Sequence, residues 1–286
     1  MKVDFHVHST ASDGTFSPSE IAKRARSFFA LALTDHDNCD GVEELLACND
    51  DSARRIAGIE LSIEPGEGFD KFHLLGLGID HRNEALRAFL KKVLEERNQR
   101  NERIIANFLK LGIDLANEIG KYAHGEVLAR PHFAKYLVEH KYARSKEEAF
   151  AKYLSPESPK ETRCYEERWH PSQEDAFKVV HQAGGICIMA HPKYWRDDWK
   201  YSGCDYSTAE MKLMELREKG LDGMEALYEH NTNEENVEWT RIAKRLKYLT
   251  SAGSDFHGDT KPEISLGMEV SESFIAPLLE RLDIDK

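Results

Sequence analysis

Asp4-Phe5-His6-Val7-His8 is the stretch from which the fold and chemistry of this chain are read. Successive side chains of an extended strand point to opposite faces, so His6 and His8 project to the same side. Two imidazoles converging from one strand begin a metal site, because neutral imidazole is a common ligand of Zn, Fe and related ions. The same spacing returns at Asp255-Phe256-His257. Between these ends, Asp35-His36-Asp37, Glu60 and His191-Pro192 follow or close apolar runs, whereas His73 opens one. A single His at a strand end is ordinarily structural. Repetition along the whole chain points to one shared site.

Composition narrows the classes. At 286 residues, with 41% hydrophobic and 31% charged side chains, the chain has the make-up of a soluble globular protein able to bury a sizeable core. No apolar stretch approaches the ~20 residues that span a bilayer, and the start of the chain enters a strand with no basic and apolar leader, so no secretory signal is expected. The five cysteines are odd in number and lack C-x-x-C spacing, which predicts a reducing cytoplasm rather than a disulfide framework. Cys187, inside an apolar run, reads as core. A net charge of −12 speaks against binding long nucleic acid, which needs a basic track. It is compatible with a phosphorylated small substrate, since two or three divalent ions would add about four to six local positive charges.

Strand and helix patterns alternate through the first third. Val3–Val7, Ala30–Thr34, Ile56–Ile63 and Phe72–Ile79 read as strands; Ser17-Pro18-Ser19-Glu20 supplies an N-cap Ser, a Pro at N1 and a Glu at N3 for a helix to about Arg26, and Gly41–Cys48 reads as another helix. The rhythm resumes with strands at Ile186–Ala190, Gly223–Tyr228 and Tyr248–Ala252 and helices at Thr208–Lys219 and Asn233–Leu246. This alternation predicts an α/β fold with a mainly parallel sheet. A long charged helix is expected from Glu84 to Leu111, with Leu86, Leu90, Val93 and Leu94 as its buried stripe and the Glu95–Arg103 charges as a solvated face. Residues 112–170 read as a helical insertion, with helices at Val127–His140 and Lys146–Leu154, so residues 1–111 and 171–286 form one discontinuous domain. In parallel α/β architectures functional groups gather at the carboxyl ends of strands, where nearly all the His and Asp candidates fall.

The segments His6-Val7-His8-Ser9, Ser12-Asp13-Gly14, Leu33-Thr34-Asp35-His36-Asp37, Gly58-Ile59-Glu60, His73-Leu74-Leu75-Gly76, Ala190-His191-Pro192 and Gly253-Ser254-Asp255-Phe256-His257 stand in the order of one known family. The chain resembles the polymerase-and-histidinol-phosphatase (PHP) family of metal-dependent phosphoesterases over almost its whole length. The resemblance implies a distorted (β/α)7 TIM-like barrel with a helical cap over its mouth and a trinuclear metal centre. It implies one ion on His6, His8, Glu60 and Asp255, a second on His73 and His191 with Glu60 bridging, and a third on Asp13, His36 and His257. Independently of the family, a mixed imidazole and carboxylate set suits Mn, Fe or Zn better than Mg or Ca. Closely spaced ions of that kind supply hydroxide at neutral pH and stabilise charge on phosphoryl oxygens. Asp35 is expected among the catalytic residues, orienting an imidazole rather than binding metal; Asp37 has the alternative of a helix N-cap.

Ala129-Arg130-Pro131-His132-Phe133-Ala134-Lys135-Tyr136-Leu137 and Phe150-Ala151-Lys152-Tyr153-Leu154 resemble the insertion of the family branch that acts on nucleoside 3′,5′-bisphosphates and on the 5′ ends of short RNAs. By that resemblance Arg130 binds phosphate as a planar fork, His132 donates a hydrogen bond or protonates the leaving oxygen, and Lys152 is either a phosphate ligand or a solvated helix lysine. The branch continues with a short Gly-Lys-Pro segment, where this chain has the longer, charged Ser155–Trp169. After His191-Pro192, Lys193 places a cation suited to phosphate, and Tyr194, Trp195 or Trp199 either stack on a base or pack the loop. A metal-hydroxide phosphomonoesterase acting on a nucleotide or short oligonucleotide is the leading expectation. Histidinol phosphate is the alternative substrate, an amide or lactone hydrolase the alternative chemistry, and a non-catalytic metal-binding module the alternative class.

Overall fold

A computed structural model describes residues 1–48, 53–64, 71–122, 127–198 and 204–283. The apolar runs become strands β1 (Lys2–Asp4), β2 (Ala30–Leu33), β3 (Arg54–Ile63), β4 (Phe72–Leu77), β5 (Ile186–Met189), β6 (Gly223–Tyr228), β7 (Leu249–Gly253) and β8 (Met268–Glu269). They hydrogen-bond in the order β7-β6-β5-β4-β3-β2-β1-β8. Beyond β1 the chain turns back onto the far edge: the Phe5 amide donates to the Ala252 carbonyl at 3.0 Å and the His8 amide to the Phe256 carbonyl at 2.9 Å. Val7 and Phe256 bridge in parallel, which joins the two edges into the distorted barrel expected.

Side-chain alternation builds this barrel. Ala30 and Ala32, Leu75 and Leu77, and Ile186 and Ile188 share one apolar cluster with Val3, Phe5 and Ala252. Their neighbours Leu31 and Leu33, or Leu74, Cys187 and Met189, instead join the clusters beneath the surrounding helices. A period of two thus sorts residues between the interior and the helical layer. Ile275, Leu278 and Leu279 of a C-terminal helix that the sequence reading missed, α10 by chain order (Glu272–Arg281), belong to the interior cluster.

The expected parallel sheet is interrupted at one place. β4 runs antiparallel to both β3 and β5, with Ser62 opposite His73 and Leu74 opposite Met189. Its beginning is therefore level with the carboxyl ends of its neighbours. This is why His73, which opens its run, stands beside residues that close theirs.

The helices of the barrel layer include α1 (Pro18–Arg24), α2 (Gly41–Ala47), α6 (Gln173–Gln182), α7 (Pro192–Asp198), α8 (Tyr206–Lys219) and α9 (Asn233–Leu246). α1 starts with the reciprocal Ser17–Glu20 capping box read from the sequence, an arrangement in which the cap alone is worth about 1 kcal/mol. α6 was not anticipated. In α3 (Glu84–Lys110) the expected stripe is buried at Leu86, Leu90 and Val93 and half-buried at Leu94, and the solvated face holds at Glu95, Asn98, Gln99, Glu102 and Arg103 but fails at Arg97, Arg100 and Asn101, which are buried. They continue the stripe begun by Leu86, Leu90 and Val93. Further along α3, Ile104 and Phe108 join a separate apolar cluster with Phe133, Leu137, Tyr153 and Leu154. That cluster holds together α4 (Arg130–Glu139), which starts three residues later than expected behind the N1-adjacent Pro131, and α5 (Lys146–Ala149), which runs into a π-helical turn over Phe150–Leu154.

Candidate metal centre

The structure gathers the nine His, Asp and Glu residues read as ligands at the carboxyl end of the barrel. Backbone geometry does much of the placing. Asp37, His191 and Asp255 all adopt left-handed backbone, with φ of 52°, 30° and 58°. Such values cost a non-glycine residue energy and cluster at sites where the surroundings enforce them. Asp255 is enforced by its own amide, which donates to the His6 carbonyl at 2.9 Å.

Around His6 the ligand atoms are close-set. Nε2 of His6 lies 3.1 Å from Nε2 of His8, 3.4 Å from Oε1 of Glu60 and 3.5 Å from Oδ1 of Asp255. Nε2 of His8 lies 3.2 Å from Oε2 of Glu60 and 3.3 Å from Oδ1 of Asp255. Glu60 also meets Nδ1 of His73 at 2.8 Å and Nε2 of His191 at 3.1 Å, both on Oε1. On the other side Asp13 lies 3.3 Å from Nε2 of His257 and 3.9 Å from Nε2 of His36. His8 faces this group as well, its Nδ1 4.0 Å from Asp13, so His8 sits between two groups and Glu60 touches both sides.

These residues fit divalent metal. Nδ1 of His8, Nδ1 of His36 and Oε2 of Glu60 are buried and make no well-formed hydrogen bond, although the last two are only 2.8 Å apart. A buried polar atom left unpaired is costly, and an ion is the partner that resolves several at once. The electrostatics agree. Burial alone would raise the Glu60 pKa, but His36, His6 and His73 outweigh it and hold the carboxyl well below its ordinary range. Asp13 and Asp255 are held down in the same way, with His257 as the main counterweight. Burial disfavours charge on His6 and His8, yet the carboxylates raise both, His8 to about 9. The cluster therefore demands positive charge.

Residues that the sequence reading missed hold the candidate ligands in place. Glu225, wholly buried on β6, meets Nδ1 of His6 at 3.1 Å and accepts the His191 amide at 2.7 Å. Its signal was available: one acid inside the apolar strand Gly223–Tyr228. A Cβ on Gly253 would come within 2.2 Å of Glu225 and 2.4 Å of His6, so glycine is required for this approach. The outer oxygen of Asp255 receives the Tyr228 hydroxyl at 3.1 Å and the Lys261 ammonium at 2.6 Å. Asp35 does not orient an imidazole as expected. Its oxygens instead accept the Ser9 amide, the Ser9 hydroxyl and the Ser12 hydroxyl at 2.5–2.7 Å. Those bonds shape the turn that presents Asp13.

Asp13, His36 and His73 open onto a cavity of about 310 Å³ that is also lined by Arg97, Arg100, Arg130 and Arg168. Asp37 is no helix cap. It pairs with Arg97, and at 2.8 Å with Arg168, and accepts the Ser62 amide at 3.0 Å. Arg130 rests its guanidinium 5.4 Å from the Tyr165 ring and 5.9 Å from the Phe150 ring. Burial, with Arg97, Arg130 and Arg168 nearby, pushes the Arg100 pKa down to about 9. Arg97, Arg100 and Arg168 each retain a buried N–H without a partner.

Other expected substrate contacts fall elsewhere. Lys193 is taken by Glu235 at 2.6 Å, because that acid caps α9 beside it. Lys152 lies over the Tyr153 ring at 4.8 Å, outside the lining of the Arg cavity, because the π-helical turn carries it away. Nδ1 of His132 accepts the Ala129 amide at 3.0 Å, which commits that nitrogen to the start of α4. Trp195 is buried in the helical layer, and Trp199 lies outside the described residues.

Comparison with known proteins agrees with this geometry. The PHP domain profile matches residues 4–154. A 5′-3′ exoribonuclease of Haemophilus influenzae is 33% identical over 261 residues, covering 90% of each chain. A 3′,5′-nucleoside bisphosphate phosphatase of Chromobacterium violaceum is 31% identical over 263 residues, covering 89% of this chain and 87% of that one. Among solved structures, an amidohydrolase from Chromobacterium violaceum with bound sulfate superposes with a TM-score of 0.83 at 28% identity, over 99% of this chain and 96% of that one. With the profile spanning more than half its length and relatives aligned nearly end to end, the chain belongs to the PHP family.

Proposed function

We propose that this protein is a metal-dependent phosphoesterase that hydrolyses a phosphomonoester of a nucleotide, such as a nucleoside 3′,5′-bisphosphate, or of a very short oligonucleotide. One observation carries the reading: the buried imidazole and carboxylate cluster opens directly on a cavity where four arginines converge. Planar guanidinium forks match phosphate oxygens in pairs. Asp37 pairs with Arg97 and Arg168, while Arg97, Arg100 and Arg168 each keep a buried N–H without a partner among the described residues, as an anion-binding cavity would. The relatives named as a bisphosphate phosphatase and as exoribonucleases support the substrate class.

In this reading His6, His8, Glu60 and Asp255 would hold one divalent ion, His73, His191 and Glu60 a second, and Asp13, His36 and His257 a third. When bound, such ions lower the pKa of water and neutralise charge on phosphoryl oxygens. Two or three ions of Mn, Fe or Zn suit the donor set. Arg97, Arg100, Arg130 and Arg168 bind and orient the substrate's second phosphate, which fixes the reacting ester over the cluster. Asp37 holds two of those guanidinium groups in register. A cavity of about 310 Å³ is at the small end of ligand pockets and suits one phosphate-bearing end of a small substrate rather than a length of strand. Histidinol phosphate would need a free carboxylate for its ammonium. Of the acids lining the cavity, Asp13 faces His257 at 3.3 Å, Glu166 is engaged by Asn107 at 2.7 Å and Glu167 by Lys71. We place the enzyme in the cytoplasm, in keeping with an odd number of cysteines that lack C-x-x-C spacing.

Phosphate release by the metal-loaded protein from a panel of nucleotides, sugar phosphates and histidinol phosphate tests the proposal. Preference for adenosine 3′,5′-bisphosphate or a dinucleotide is expected. Silence across the panel, with turnover of an amide or lactone, would overturn it.

A further inference from the structure

We propose that Tyr194, backed by Tyr228 and flanked by His230, is the platform on which the substrate's base stacks. The inference rests on the nucleotide reading above and adds where the base goes. Tyr194 follows His191 at the start of α7 and stands 40% exposed, while the residues on either side of it are anchored. Lys193 is tied to Glu235 at 2.6 Å, Arg196 reaches the same acid at 3.1 Å, and Trp195 is 2% exposed in the core. The helix is thus pinned on both sides of one aromatic ring that faces solvent.

That ring is next to the chemistry. Its centroid is 5.5 Å from His191, 5.8 Å from Tyr228 and 6.5 Å from His230. It meets these rings at 57°, 78° and 49°, so none of the three lies parallel on its face. Tyr228, whose ring meets that of Tyr194 edge-on, donates its hydroxyl to Asp255 at 3.1 Å. The arginine cavity touches the His36 and His73 side of the cluster, and Tyr194 touches the His191 and Asp255 side. A nucleotide laid across the cluster would place its second phosphate among the arginines and its base at Tyr194. A purine or pyrimidine face on tyrosine is sequence-tolerant, because every base offers a π-surface.

The test compares adenosine 3′,5′-bisphosphate with the 3,5-bisphosphate of a base-free tetrahydrofuran sugar. The wild-type protein should show a lower KM for the nucleotide. Tyr194→Ala should shrink that KM preference by roughly 5- to 150-fold, the span for losing one stacked base. Tyr194→Phe and Tyr194→Trp should retain it. Equal loss on both substrates in Tyr194→Ala would show that the residue acts through Tyr228 and Asp255 instead, and an unchanged preference would show no contact. Either result overturns the platform while leaving the phosphoesterase reading intact. A metal-loaded wild-type protein inactive on both substrates would overturn that reading and the platform with it.

Discussion

Glu225 and His6, both sealed from solvent, face each other across 3.1 Å between Oε1 and Nδ1. The contact leaves Nε2 of His6 to face His8, Glu60 and Asp255. A carboxylate on the far nitrogen of a ligating imidazole fixes its tautomer and raises its basicity. Glu225→Gln keeps the shape and can still accept the His191 amide, but removes the charge. Metal affinity measured by chelator competition should fall roughly 10- to 100-fold, with little change in thermal stability of the metal-free protein. Unchanged affinity would show that Glu225 serves only to fill the barrel.

Elemental analysis of protein prepared without chelators should find two to three equivalents of transition metal, and chelation should abolish phosphate release. His8 bridges the two groups of ligand atoms, so His8→Ala should lower both metal content and activity by most of their value. Circular dichroism should show the fold retained. Content under half an equivalent in the wild-type protein would rule out a multinuclear centre.

Arg100 and Arg130 line the cavity from two different elements. Hydrogen bonds to charged groups are worth about 1.5–3 kcal/mol each, or roughly 10- to 150-fold. Arg130→Ala should reduce kcat/KM for a 3′,5′-bisphosphate by about that factor and affect a monophosphate less. Sulfate should raise Tm of the wild-type protein by binding the folded state alone, and raise it less in Arg100→Ala. An equal effect of Arg130→Ala on both substrates would argue against a second phosphate there.

His170, beside Arg168, is kept neutral: burial, then Arg168 and Lys71, lower its pKa to about 3. The unfolded chain would take up a proton near pH 6.5, and the folded one only near 3. Stability must therefore fall as the pH drops through that window, by up to about 1.4 kcal/mol per pH unit from this group. In chelator-treated protein, His170→Gln should flatten the decline of unfolding free energy between about pH 6.5 and 3. An unaltered slope would mean that His170 is protonated in the folded protein.

Trp195 packs in the apolar layer outside the strands. Trp195→Ala should cost about 3–5 kcal/mol of unfolding free energy. Its effect on KM should be small beside that of Tyr194→Ala. A stable Trp195→Ala protein with weakened nucleotide binding would reverse these two roles.

The clustering of the candidate ligands was legible because metal binding demands few residue types and strand ends place them at fixed spacings. His6, Asp13 and His257 could each be read from a short motif, and the Ser17–Glu20 cap from four residues. His73 was harder, since its position makes sense only once β4 is known to run backwards, a matter of pairing between distant strands. Arg97 and Arg100 were misread although their spacing extends the stripe of Leu86, Leu90 and Val93. Charge was taken to outweigh periodicity, which fails where charges point inward to meet a ligand. Lys193 failed for the converse reason: a suitable cation near the site had a closer partner in Glu235. The Ser9–Ser12 turn held by Asp35 depended on hydrogen-bond geometry that residue identity does not specify.

The meeting of β1 with β7 also sets an order of events in the cell. His6 and His8 leave the ribosome well before Asp255 and His257. Until then the first two imidazoles have no barrel edge against which to close, since His8 needs the Phe256 carbonyl and Asp255 needs that of His6. The full cluster therefore forms only when the barrel closes, and metal uptake is expected to follow that closure rather than synthesis of the first strand. A ribosome-stalled chain lacking residues 253–257 should take up markedly less metal than the released protein. Shortage of metal during growth would then leave finished but uncharged protein, ready to be activated without new synthesis.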